Sequence, residues 1–141
     1  MKKTARVVII NDDKLLVFFR KKEIDGNIYT YYALPGGHLE DNETLEDAAI
    51  REIKEEMNLD IKILGYLGNL VVDNQEENYY HGKIIGGKLQ KGCETLNGNS
   101  DSNYYEIRWL PISELDNSGI RALSLVRRAL NNEYEDWYIF K

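Results

Sequence analysis

Residues 36–59 read GGHLEDNETLEDAAIREIKEEMNL, and the rest of the chain can be arranged around them. A Gly-Gly pair opens the stretch, a polar loop follows, and a helix closes it. Thr44 is a suitable N-cap, because its hydroxyl can accept from the free N–H groups of a first turn, and Asp47 stands three residues on, where a capping-box partner belongs. From Leu45 to Met57 there is no Gly, Pro or β-branched run, so a helix is expected over those residues. At roughly 100° per residue, Glu52, Glu55 and Glu56 share one sector of its surface. Ile50, Ile53 and Met57 fill the neighbouring sector and are expected to form the buried stripe. Like charges at this spacing repel by a few tenths of a kcal/mol, roughly. Oxygen ligands at this density suit a hard cation such as Mg²⁺ or Mn²⁺, which would also draw in phosphates. A solvated acidic helix face is the alternative that the charges alone allow.

The stretch resembles the Nudix box, whose pattern is G-x5-E-x7-R-E-U-x-E-E-x-G-U with U a bulky aliphatic residue. Gly37, Glu43, Arg51, Glu52, Ile53, Glu55, Glu56 and Leu59 fall on it in register. Asn58 replaces the last glycine. That position follows the helix end and calls for a left-handed conformation, which Asn tolerates best after Gly.

The resemblance implies an α/β fold in which a mixed β-sheet is sandwiched between α-helices, spanning 1–141 as one domain. It implies hydrolysis of a phosphoanhydride in a nucleoside diphosphate linked to another group, X, with Mg²⁺ or Mn²⁺ as cofactor. Carried over residue by residue, Glu52, Glu55 and Glu56 are metal ligands, joined by the backbone carbonyl of Gly36. Glu52 is alternatively the base that deprotonates water. Glu43 and Arg51 form a pair that holds the loop against the helix. Arg20, at the end of an early strand, is a candidate for facing substrate phosphates, or else a solvated strand end. Gly37 and His38 are candidates for standing beside the substrate, His38 as a loop residue rather than a metal ligand, or else merely a solvated one. Glu94 is a candidate extra ligand or base in a long loop, or else simply an exposed loop acid, with Glu76 and Glu77 weaker candidates of the same kind.

The wider composition is that of a soluble globular protein. The chain has 141 residues, 43% of them apolar and 30% charged, enough for a core of its own. No apolar run approaches the ~20 residues of a membrane span, and MKKTARVVIIND reads as a first strand rather than a signal peptide. One cysteine, Cys93, rules out an internal disulfide and points to a reducing cytoplasm. A net charge of −6 argues against stable binding to DNA or RNA, but not against a nucleotide held through metal ions. The expected partner is a small nucleotide, and the chain is expected to be a monomer or homodimer.

In chain order, Val7 to Ile10 and Leu15 to Phe19 form a hairpin around Asn11-Asp12-Asp13, and their unbroken apolarity predicts burial on both faces. Tyr29 to Leu34 is a strand closed by Pro35. Ile61 to Val72 and Tyr79 to Leu89 are strands around a polar turn, Asp73 to Asn78. Residues 91–103 form the longest loop, Tyr104 to Leu110 is a strand, and Pro111 to Leu115 a helical turn. Ile120 to Leu130 is a second helix, and the aromatic tail from Trp137 to Phe140 is expected to pack on the domain.

Substrate choice is where this reading stops. Tyr31, Tyr80, Tyr105 and Trp109 are equally eligible as stacking partners for a base. Lacking an added N-terminal dimerisation segment, the chain is read first as a nucleoside triphosphate pyrophosphohydrolase. ADP-ribose or a sugar nucleotide is the alternative substrate, and a non-catalytic nucleotide sensor the alternative of another class. A sensor would be expected to have lost box glutamates; all are present.

Overall fold

The computed structural model describes residues 1–90 and 103–135; Glu94, Cys93 and the aromatic tail lie outside them. Seven strands are described: β1 (Lys2–Asn11), β2 (Lys14–Ile24), β3 (Asn27–Ala33), β4 (Gly36–His38), β5 (Leu59–Val72), β6 (Gln75–Gly87) and β7 (Asn103–Pro111). Helix α1 (Leu45–Met57) joins β4 to β5, a 3₁₀ segment (Ile112–Asn117) follows β7, and α2 (Leu123–Leu130) comes last. The first two hairpins turn on pairs that accept positive φ, Asp12-Asp13 and Asp25-Gly26, as two-residue hairpin loops require.

The sheet is mixed. β1 runs parallel to β6 along Lys2–Ile9 and antiparallel to the short β4 at Thr4–Arg6, but meets β2 only at Ile10–Leu15 and Asn11–Lys14. β2 instead pairs with β3 on one side and β7 on the other. Beyond their shared turn, then, β1 and β2 part company, and the chain from β3 to β4 crosses the gap between them.

Both faces are covered, as the apolar runs predict. Ala5, Val7 and Ile9 of β1 pack with Ala48, Ala49, Ile53 and Met57 of α1. Val8 points the other way, into a cluster with Leu125, Val126 and Ala129 of α2. Alternation along a strand sends successive side chains to opposite faces, so one strand serves two cores.

Three expectations need correction. Ile50 is 39% exposed; the buried side of α1 is Ala48, Ala49, Ile53 and Met57, because the two alanines let the helix lie close to β1. The polar turn is only Asp73-Asn74, both at positive φ, and Gln75–Asn78 already belongs to β6, with β1 on one edge and β5 on the other. Glu76 and Glu77 therefore stand on a central strand, not on a loop. Finally, α2 begins at Leu123, and Ile120 is buried in the segment before it.

Candidate active site

Helix α1 starts as its sequence requires: Thr44 Oγ1 accepts from the Asp47 amide at 3.1 Å. It ends at Asn58, at φ 58°, whose amide donates to the Lys54 carbonyl. Asn58 also does something a glycine could not, since its Nδ2 donates to the Lys88 carbonyl at 2.9 Å.

Arg51 sits at the centre of the acidic face. Its Nε and Nη2 donate to the two Glu43 oxygens at 2.6 and 3.0 Å, and Nη2 also donates to the His38 carbonyl at 3.0 Å. The loop before the helix is thereby tied to the helix. Glu43 closes the loop further by accepting from the Glu40 amide at 3.1 Å. On its other side, Arg51 Nη1 donates to Glu52 at 2.9 Å and to Glu55 at 3.2 Å. The hydrogen bonds from Arg51 hold the Glu43 carboxyl below its usual pKa, and in return Glu43 and Glu52 raise that of the guanidinium.

The two glycines are fixed by what surrounds them. A Cβ on Gly36, at φ 144°, would stand 2.0 Å from the Ala5 carbonyl oxygen of β1. A Cβ on Gly37 would stand 2.5 Å from the Glu52 carboxylate, which is nearly buried there. Glu56 completes the arrangement by accepting from the Gly36 amide at 2.9 Å. Glu52, Glu55 and Glu56 thus share one side of α1 with the Gly36-Gly37 backbone. No group of three acidic, His or Cys side chains among the described residues closes into a ready cage; Arg51 and the Gly36 amide occupy the oxygens instead. The donor set still fits a hard divalent ion. It is all carboxylate oxygen, and the missing Cβ of Gly37 leaves the Glu52 carboxylate against bare backbone.

Gly36 faces two ways. Its N–H holds Glu56, and its carbonyl accepts from Arg6 Nη1 at 3.3 Å. Arg6 lines a cleft of about 490 Å³ in the gap where β1 and β2 diverge, with Arg20, Tyr31, Tyr32, Tyr79, Glu77 and Arg121 among its walls. One residue, Gly36, therefore stands between the acidic face and a cavity of ordinary ligand size, ~300–1,000 Å³.

The cleft separates the aromatic candidates. Tyr31 lines it, whereas Tyr80 and Trp109 pack in the core under α1, and Tyr105 meets Phe18 edge-on. Arg20 also lines the cleft; its guanidinium lies 4.0 Å from the Tyr105 ring centre and 5.5 Å from that of Tyr31. It donates to the Tyr105 hydroxyl and to Asn103, while its buried Nε has no partner among the described residues. His38 is exposed, and only its carbonyl is engaged with Arg51.

Sequence reasoning missed Arg6, Arg121 and the cleft position of Glu77. The available signal was a charged residue, Arg6, two positions before buried Val8 on the same strand face.

The NUDIX domain family matches residues 1–129. An ADP-ribose pyrophosphatase of Methanocaldococcus jannaschii is 29% identical over 119 residues, covering 80% of this chain and 66% of that protein. An 8-oxo-dGTP diphosphatase of Proteus vulgaris is 38% identical over 53 residues, 38% of this chain and 47% of that one. The chain thus spans less than two thirds of the length of these relatives. Among solved structures, a NUDIX-family hydrolase from Clostridium perfringens superposes with a TM-score of 0.67 at 21% identity, covering 93% of this chain and 97% of that one. With the family match running from β1 through α2, and the box residues gathered on one side of α1, this chain belongs to the NUDIX domain family.

Proposed function

We propose that the protein hydrolyses a phosphoanhydride in a nucleoside diphosphate linked to X, with Mg²⁺ or Mn²⁺ bound by Glu52, Glu55 and Glu56. The observation that carries this reading is the residue Gly36, with a carboxylate on its N–H and the arginine of a ligand-sized cleft on its carbonyl. A substrate whose scissile phosphoanhydride lies at the acidic face would extend its remainder, a neighbouring phosphoryl group with the nucleoside or X, into that cleft. Bound at the acids, the metal would neutralise phosphate oxygens and lower the pKa of a coordinated water. The protein's own contribution is positional. Glu43 and Arg51 keep the loop on the helix, Gly37 leaves room for Glu52, and the Gly36 amide orients Glu56. Arg51 Nη1 holds the Glu52 and Glu55 carboxylates beside each other, where they would be available to an ion.

Nucleoside triphosphates, oxidised ones included, are the first substrate class. ADP-ribose is the second, favoured by the Methanocaldococcus jannaschii relative, whose likeness covers most of the chain. The test is a nucleotide panel with Mg²⁺ or Mn²⁺, reading phosphate and pyrophosphate release from the triphosphates and monophosphate formation from ADP-ribose. Cleavage of triphosphates releasing pyrophosphate supports the first class; cleavage of ADP-ribose to two monophosphates supports the second. No cleavage of any member refutes both.

A further inference from the structure

Among the described residues Glu77 is the one acid lining the cleft, 6% exposed, and it is crowded with donors. Arg6 Nε stands 3.4 Å from it, Arg121 Nη1 3.1 Å, and the Tyr79 hydroxyl donates to it at 3.2 Å. The parallel register of β1 and β6 sets this up. Thr4 pairs with Glu77 and Arg6 with Tyr79, so Arg6, Glu77 and Tyr79 share the face that opens into the cleft. Arg121 arrives from the segment before α2. One carboxylate thus anchors two guanidiniums from distant parts of the chain. With Arg20, the described lining residues carry three positive charges against a single negative one.

A purely structural ion pair would not need this surplus. Bringing like charges together around a half-closed cavity is unfavourable unless an anion joins them, and the planar fork of a guanidinium matches phosphoryl oxygens. Arg121 is held with 58% of its side chain still exposed, at the mouth rather than in the core. Arg6 reaches the Leu34 and Gly36 carbonyls, beside the peptide that holds Glu56.

We propose that Glu77 is a positioning residue that aims Arg6 and Arg121 into the cleft, where the pair binds a phosphoryl group of the substrate. This rests on the nucleotide reading given above, and it adds residues that the box motif does not contain. The glutamates act on the bond that breaks; the Glu77-anchored arginines hold a phosphoryl group on the cleft side of Gly36.

The test combines kinetics with binding that needs no turnover. Glu77→Gln, Arg6→Ala and Arg121→Ala are each expected to raise KM tenfold or more while kcat stays within threefold. Adding Glu77→Gln to the Arg6→Ala/Arg121→Ala double variant is expected to cost no more than a further threefold, because Glu77 acts through those arginines. Calorimetric titration with ADP and with inorganic pyrophosphate, in Mg²⁺, should show the same losses of affinity. If Glu77→Gln fails to fold, the mostly exposed Arg121→Ala carries the test alone. Folded variants whose KM and Kd stay within twofold of wild type overturn the proposal. So does a wild-type protein that binds neither ADP nor pyrophosphate. A protein that binds both with the expected losses, yet cleaves no nucleotide, refutes the hydrolytic reading and leaves this one standing.

Discussion

The two sides of Gly36 are built differently. On one side, the acidic face is local: Glu43, Arg51, Glu52, Glu55 and Glu56 lie within a single loop and helix, with spacing set by the helical turn. On the other side, the cleft takes residues 6, 20, 31, 77 and 121 from five separate segments. A local site can be assembled by one helix and its cap. A distributed site exists only once β1 lies beside β6 and the 119–122 segment has closed over them. The contrast yields predictions that differ in size according to the side touched.

The largest expected effect is on turnover. Glu56→Gln keeps an oxygen able to accept from the Gly36 amide, so the melting temperature should stay within a few degrees. Removing one charge from the proposed metal site should lower kcat by orders of magnitude. Turnover within threefold of wild type at saturating Mg²⁺ would take Glu56 out of the chemistry.

Next comes the hinge between the two sides. Gly36→Ala places a Cβ against the β1 backbone at a φ that L-residues rarely adopt, and should cost about 3 kcal/mol or more of stability by denaturant unfolding. A loss below about 1 kcal/mol would mean that β4 can move away from β1 freely.

A smaller effect is expected where Glu43 ties the loop. Its folded pKa is depressed below the reference value of 4.5. Its stabilising contribution is therefore full above that value and is lost as pH falls through the lower, folded value. Glu43→Gln should cost about 2 kcal/mol at neutral pH, and the gap to wild type should close on acidification through that window. A gap that stays constant with pH would show that charge is not what holds the loop.

These differences also explain what could be read in advance. The acidic face was legible because the spacing of Glu52, Glu55 and Glu56 and the Thr44 cap are properties of contiguous residues. The same locality misled at Ile50, where the apolar pattern suggested a wider stripe than the helix buries; Ala48 and Ala49 do the packing. Glu77 was placed in the wrong element, a polar turn. The run Asp73 to Asn78 has turn composition, and only pairing with β1 and β5 on both edges makes Gln75–Asn78 a strand, a case of tertiary context overriding propensity. Arg6 and Arg121 have no sequence relation to Glu77, so their meeting was invisible. Glu94 lies outside the described residues, and its proposed role rests on the resemblance alone.

The smallest effect is expected at the C-cap. Asn58→Gly removes the strain of a left-handed Asn but also the bond to the Lys88 carbonyl. The two should nearly cancel, leaving a change within about 1 kcal/mol. A larger loss in thermal unfolding would show that this side-chain bond dominates the helix end.

The central claim is that Glu52, Glu55 and Glu56, which would hold a divalent ion, form the site where a phosphoanhydride is hydrolysed while the rest of the substrate lies in the cleft. Phosphorus NMR of ADP-ribose and of a nucleoside triphosphate, incubated with the folded protein and Mg²⁺, tests it most directly. The anhydride resonances of at least one substrate should give way to those of its cleavage products, and chelation of the metal should stop the change. Anhydride signals that persist with both substrates, in the presence of folded protein and millimolar Mg²⁺, would contradict the account.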